Sequence, residues 1–151
     1  MVDRLWRAGL VVAYRLLRVY WWLLRPRTEG VCVLIWHAGR LLVVRHSYKP
    51  GVGVPAGAPH RGETAVATAL RELREEVGIR LDADALRPLG ELHPRHELKR
   101  DHLVAFEVEV DETPAVQIDR REIVAAWWAT PGELAGEELW PPLHDLLAAR
   151  R

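Results

Sequence analysis

Residues 57–79 of this chain read Gly-Ala-Pro-His-Arg-Gly-Glu-Thr-Ala-Val-Ala-Thr-Ala-Leu-Arg-Glu-Leu-Arg-Glu-Glu-Val-Gly-Ile. The stretch opens as a loop, because glycines at 57 and 62 and a proline at 59 suit tight or left-handed turns. From Thr64 as N-cap the pattern predicts a helix to Val77, with Gly78 as its C-terminal stop. At 3.6 residues per turn Val66, Leu70, Leu73 and Val77 share one side. Glu72, Glu75 and Glu76 share another.

That carboxylate cluster is electrostatically unfavourable on a bare helix. Glu72 and Glu76 are like charges one turn apart, which costs roughly 0.2–0.5 kcal/mol. Glu75 and Glu76 also occupy the last turn, where the helix dipole disfavours anions by roughly 0.3–1 kcal/mol. Arg71, one turn before Glu75, and Arg74 give only partial relief. A divalent cation reverses the sign of the account, since several oxygen ligands on one face suit magnesium or manganese. The plainer alternative is a solvated acidic helix face, and Arg-Glu-Leu-Arg-Glu-Glu by itself favours that. The full spacing separates the two.

Gly57, five residues, Glu63, seven residues, then Arg71-Glu72-Leu73-Arg74-Glu75-Glu76-Val77-Gly78-Ile79 resembles the complete signature of the Nudix hydrolases. Every fixed position is present. The box covers 23 of the 151 residues, and a weaker similarity extends from about Gly30 to Trp128. The resemblance implies an α/β fold of Nudix type, an α/β/α sandwich around a mixed sheet. It also implies a hydrolase that cleaves a nucleoside diphosphate linked to another group by water attack on phosphorus, with Mg2+ or Mn2+ as cofactor. By the same resemblance Glu72, Glu75 and Glu76 hold the metal, with the Gly57 carbonyl as a further ligand. Arg71 orients the carboxylates, and Glu63 supports the loop–helix junction or metal-bound waters. Two departures stand out. Pro55-Ala56-Gly57 replaces the frequent Pro-Gly-Gly at the box entrance, and His60 stands where an acidic residue is often found.

The chemistry explains the spacing. A diphosphate linkage repels an attacking water until its charge is neutralised and the water is made more acidic. Carboxylates at i, i+3 and i+4 converge on one such place. Glu122 is a candidate distal acidic residue, with Glu107 and Glu109 as alternatives on a strand. His60, Arg95 and His96 are candidate phosphate contacts, and Trp128 a candidate base-stacking side chain, against the readings of solvent loop and core tryptophan.

Composition bounds the rest. A chain of 151 residues is a natural single-domain length. Lys plus Arg and Asp plus Glu both count 21, so no basic field suits a nucleic-acid polymer. The single Cys32 lies in an apolar run, which reads as a buried small residue. One cysteine excludes an intrachain disulfide and fits a reducing, cytoplasmic compartment.

Residues 3–25 read as an amphipathic helix, with 1–27 as an N-terminal element and 28–151 as the hydrolase domain. Arg4, Arg7, Arg15, Arg18 and Arg25 fall in a narrow sector, and leucines and valines fill the remainder. The longest apolar run, Ala8 to Tyr14, is far short of a membrane span. Two readings fit: a helix lying in the headgroup layer of an anionic membrane, or one packing on the domain or forming a homodimer. Pro26 ends the helix and residues 27–30 read as a linker.

Val31–Trp36 and Leu41–Arg45 read as a hairpin about Ala38-Gly39, the first arm covered on both faces. Leu86–His93 is a strand broken by Pro88 and Gly90. His93–His102 is expected to be a histidine-rich solvent loop without zinc-ligand spacing. Leu103–Val110 alternates like a strand with one wet face, and Val124–Ala129 like a buried strand. Thr130 caps a short helix with Pro131 at its first position, and a last helix points Leu143, Leu146 and Leu147 inward. Pro94, fifteen residues past Ile79, is similar to a marker of ADP-ribose-cleaving relatives. Nucleoside triphosphates and nucleotide sugars stay open as substrates. The rival reading is a catalytically silent module of the same fold, interacting through its N-terminal helix.

Overall fold

The computed structural model describes residues 2–24, 26–94 and 100–149. Arg95 and His96 lie outside the described residues, so their candidate contacts are not placed. The chain runs α1 (Val2–Leu24), β1 (Arg27–His37), β2 (Arg40–His46), β3 (Ala56–Gly57), α2 (Ala65–Glu76), β4 (Arg87–Leu92), β5 (Arg100–Glu109), β6 (Ile123–Ala129), α3 (Pro131–Leu134) and α4 (Pro141–Ala149). The strands form one mixed sheet in the order β4-β5-β1-β2-β6, with β3 added on β1. β1 and β5 run parallel, and the other pairs are antiparallel.

Alternation along β1 builds the sandwich. Val31, Val33 and Ile35 point to a core shared with Ala69, Leu73 and Val77 at α2. Cys32, Leu34 and Trp36 point to a second core closed by Leu134 and Leu143 of α3 and α4. With helices on both faces, every residue from Val31 to Trp36 is buried, hence the unbroken apolar run. The turn between β1 and β2 puts Ala38 and Gly39 at φ 47 and 75, the twist that a two-residue hairpin demands. α3 carries its cap as expected: Thr130 accepts from the Glu133 N–H, and Glu133 reaches back to the Thr130 N–H.

Four expectations are corrected. Residues 27–30 are not a linker but the start of β1, paired in parallel with residues 100–103 of β5; Thr28 donates to Asp101 across that pair. Correspondingly, Arg100 to His102 are strand instead of loop. Polar residues at the open end of a parallel pair carry no apolar signal, although their backbones pair. β5 has no wet face along its middle, because Leu103, Ala105 and Glu107 are buried as well. Glu107 tolerates this by pairing with the Arg87 guanidinium. β6 is half-buried, since it is the edge strand, with only Ile123 and Ala129 fully covered.

α1 leans on the domain along a narrow seam. Trp21 is buried, Tyr14 packs edge-on against it at 6.2 Å and meets Tyr48 at 5.4 Å. Near its start Arg7 donates from Nε and Nη2 to the Arg120 carbonyl, at 3.0 and 2.6 Å. No described helix is long and apolar enough to cross a membrane.

Candidate active site

The site is built where the loop of residues 58–64 enters α2. Thr64 caps the helix by accepting from the Ala67 N–H at 3.2 Å, and Gly78 ends it at φ 72, a value few side chains tolerate. The apolar stripe ending in Leu73 and Val77 fixes the rotation of α2 against the sheet, which turns Glu72, Glu75 and Glu76 toward β3 and the cleft beside it. Glu76 is buried, Glu72 half-buried and Glu75 exposed.

Arg71 organises the polar groups. Its Nε and Nη2 donate to the two Glu63 carboxylate oxygens at 3.0 and 3.1 Å. Nη1 donates to Glu72 at 2.7 Å and to Glu75 at 3.1 Å, and Nη2 also reaches the Ala58 carbonyl at 2.9 Å. Glu63 accepts further bonds from the His60 N–H and the Thr68 hydroxyl. Hydrogen bonds from Arg71, then from the His60 N–H, pull the Glu63 carboxyl down to about 2. The bonds to Glu63, followed by those to Glu72 and Glu75, hold Arg71 firmly protonated.

Glu72 and Glu76 stand in the opposite condition. Burial pushes Glu72 upward against the pull of Arg71. Burial raises Glu76 still further; the Ala56 N–H, which donates to it at 3.0 Å, and the charge of Lys49 oppose the rise, while Glu122 and Asp119 add to it. The His46 Nε2 lies 3.3 Å from the other Glu76 oxygen. Across the cleft the Tyr48 hydroxyl donates to Glu122 at 2.7 Å, and burial, then Glu122, raises the Tyr48 pKa.

These groups fit a hard divalent cation. A Cβ at residue 57 would overlap the Glu72 carboxylate, so glycine is what lets bare backbone lie against that carboxylate. Gly57, Glu72 and Glu75 line the cleft at one end of α2, with Glu76 buried beside Ala56, and such an all-oxygen set suits magnesium or manganese more than zinc. A separate group, Glu91, His93 and His102, brings donor atoms within 4.8 Å at the β4–β5 edge. There His102 bonds Glu91 at 2.9 Å and stacks on His93.

Of the sequence candidates, Gly57, Arg71, Glu72, Glu75 and Glu122 line one cleft. Glu63 stands behind Arg71, and Glu76 is buried at the floor between Ala56 and His46. His60 is exposed and contributes its N–H to Glu63. Trp128 packs against the α2-side core beside His37 and is not among the residues lining the cleft. Residues without a sequence signal join instead: Tyr48, Lys49 and Trp140, with Lys49 Nζ standing 5.7 Å from the Tyr48 ring and 5.8 Å from that of Trp140. Tyr14, Leu17 and Trp21 of α1 supply a further wall. No periodicity marks these residues, and Trp140 reads only as the start of the last helix.

Residues 26–149 match the NUDIX domain. The uncharacterized Nudix hydrolase orf19 of Rhodococcus erythropolis is 36% identical over 134 residues, covering 78% of this chain and 71% of that protein. A crystal structure of a Deinococcus radiodurans protein aligns with a TM-score of 0.65 and 26% identity over 81% of each chain. The bifunctional NMN adenylyltransferase/ADP ribose pyrophosphatase of Francisella tularensis, complexed with AMP and manganese, aligns with a TM-score of 0.74. At 17% identity that likeness is one of fold, covering 92% of this chain but 46% of that one.

Proposed function

This chain belongs to the Nudix family and is a Nudix-type pyrophosphohydrolase, and on that basis we propose that it uses Mg2+ or Mn2+ to cleave a nucleoside diphosphate derivative in the cytoplasm. The substrate is of nucleoside triphosphate, ADP-ribose or nucleotide-sugar type. The observation that carries this reading is the single arginine binding Glu63, Glu72 and Glu75 while Glu76 lies buried beside them. A silent module has no use for carboxylates held at that electrostatic cost.

Glu72, Glu75, Glu76 and the Gly57 carbonyl are the groups that would hold the cation, which supplies charge neutralisation at the phosphoryl oxygens and acidification of the attacking water. Arg71 sets the rotamers of Glu72 and Glu75, and Glu63 in turn fixes the guanidinium plane. Glu122, anchored by the Tyr48 hydroxyl, is assigned the far-wall contact that orients the water and receives its proton. Lys49 meets the phosphates, and Trp140 and Tyr48 offer faces for a base; we assign stacking to Trp140 over Trp128 because Trp140 lines the cleft. Phosphate contacts from His60, Arg95 and His96 complete the assignment. An adenine nucleotide is favoured by the Francisella neighbour's AMP and by Pro94.

The deciding experiment is a panel of nucleoside diphosphate derivatives assayed for monophosphate release with Mg2+, Mn2+ or EDTA, beside Glu76→Gln. We expect metal-dependent release on at least one compound and its collapse in the variant. Binding without turnover across the panel would establish the silent module instead.

A further inference from the structure

The outer side of α1 takes no part in the cleft. The helix meets the domain through Arg7, Tyr14 and Trp21. On its far side Leu5, Val12, Leu16, Val19 and Leu23 follow one another at intervals of seven, four, three and four, which places them on one stripe. All five are between 55% and 69% exposed. Isolated exposed leucines are ordinary, but a contiguous apolar stripe along a whole helix marks a surface that something covers.

Charge says what covers it. Arg4, Arg15 and Arg18 run along one border of the stripe, and the helix carries no acidic residue after Asp3. Arg15 and Arg18 enclose a shallow depression together with Val19 and Trp22, two guanidinium groups above an apolar floor. At the N-terminal end Arg121 stands 5.7 Å from the Trp6 ring, adding a cation from the domain side. Exposed Trp6, Tyr20 and Trp22 are amphipathic rings of the kind that settle at headgroup level.

We propose that the outer face of α1 docks on the surface of an anionic phospholipid bilayer, lying in its plane. The leucine and valine stripe enters the acyl boundary, and the arginines meet lipid phosphates. A second copy of this chain fits less well, since it would bring arginine rows together with only Asp3, at the start of the helix, to answer them. The helix does not cross the bilayer. Because α1 also gives Tyr14, Leu17 and Trp21 to the cleft, docking holds the cleft about one helix diameter, roughly 10–12 Å, from the headgroups.

The full chain is sedimented with vesicles of phosphatidylcholine alone and of equal parts phosphatidylcholine and phosphatidylglycerol. Wild type is expected to pellet with the anionic vesicles only, and less as salt rises. Each arginine contributes roughly fivefold to partitioning, so Arg15→Glu with Arg18→Glu lowers it by more than about tenfold. Leu16→Asp with Leu23→Asp abolishes it while leaving the far-UV circular dichroism and the hydrolysis of soluble substrate unchanged. Wild type remaining in the supernatant with both vesicles overturns the proposal. So does a wild-type dimer that the leucine variant turns into a monomer with no vesicle binding by either, because the second copy would then be the occupant. The wild-type comparison of the two vesicles decides even if a variant fails to fold, and it reads partitioning independently of the hydrolase assignment.

Discussion

Arg71 donates five hydrogen bonds to four residues from one planar group. A lysine offers three donors at a point and cannot hold the Glu63 fork while reaching Glu72 and Glu75. Arg71→Lys is therefore expected to lower kcat/KM by about 10- to 100-fold and to raise the magnesium concentration at half-maximal rate, both read from steady-state hydrolysis. Glu63 gives a prediction with a sign. Its carboxyl is held at about 2 instead of its ordinary 4.5, so the unfolded chain takes up its proton first as pH falls. The contribution of the pair to stability is thus complete above about 4.5 and is lost as pH drops toward 2. Urea midpoints of wild type and Glu63→Gln should differ at neutral pH and converge across that window; a gap that persists at the acid end would show the loss to be steric. The roles of both residues are implied by the family motif. What the motif leaves blank is that Glu76, and not its neighbours, is the buried one, which depends on how deep β3 and His46 lie.

At the scale of elements, α2 is legible because its apolar period, its threonine cap and its glycine stop agree. Leu73 is fully buried in the core under the glutamates, so Leu73→Ala should destabilise the fold by about 2–5 kcal/mol, measured by urea denaturation. Circular dichroism should still report a folded chain in the absence of urea. β1 and β5 carry little local signal at their shared end. Arg27, Thr28 and Glu29 have linker composition, yet their backbones pair with Arg100, Asp101 and His102. Parallel pairing over more than seventy residues of separation leaves no local pattern. Glu107 is a related case: a carboxylate on an alternating strand signals water, whereas here it is buried and paired with Arg87 on β4.

Across the whole molecule the cleft joins α2, the loop after β2, the approach to β6, the start of α4 and the inner side of α1. Several carboxylates converge there, so a bound divalent cation should stabilise the entire fold. At a hundredfold excess over its Kd, one such ion contributes about 2.7 kcal/mol. Magnesium should therefore raise the thermal midpoint, EDTA should return it, and Glu76→Gln should flatten the response in the same calorimetric scan. Local sequence sets the helix, the face on which its three glutamates lie and the arginine among them, because those relations span at most a few helical turns. It also sets a long first helix that is arginine-striped and, after Asp3, otherwise predominantly apolar. Packing of distant segments sets which glutamate is buried, that Tyr48, Glu122 and Trp140 share the cleft, and which side of the first helix is left exposed. Those relations link residues far apart in the chain, and it is strand pairing and layer packing that bring them together.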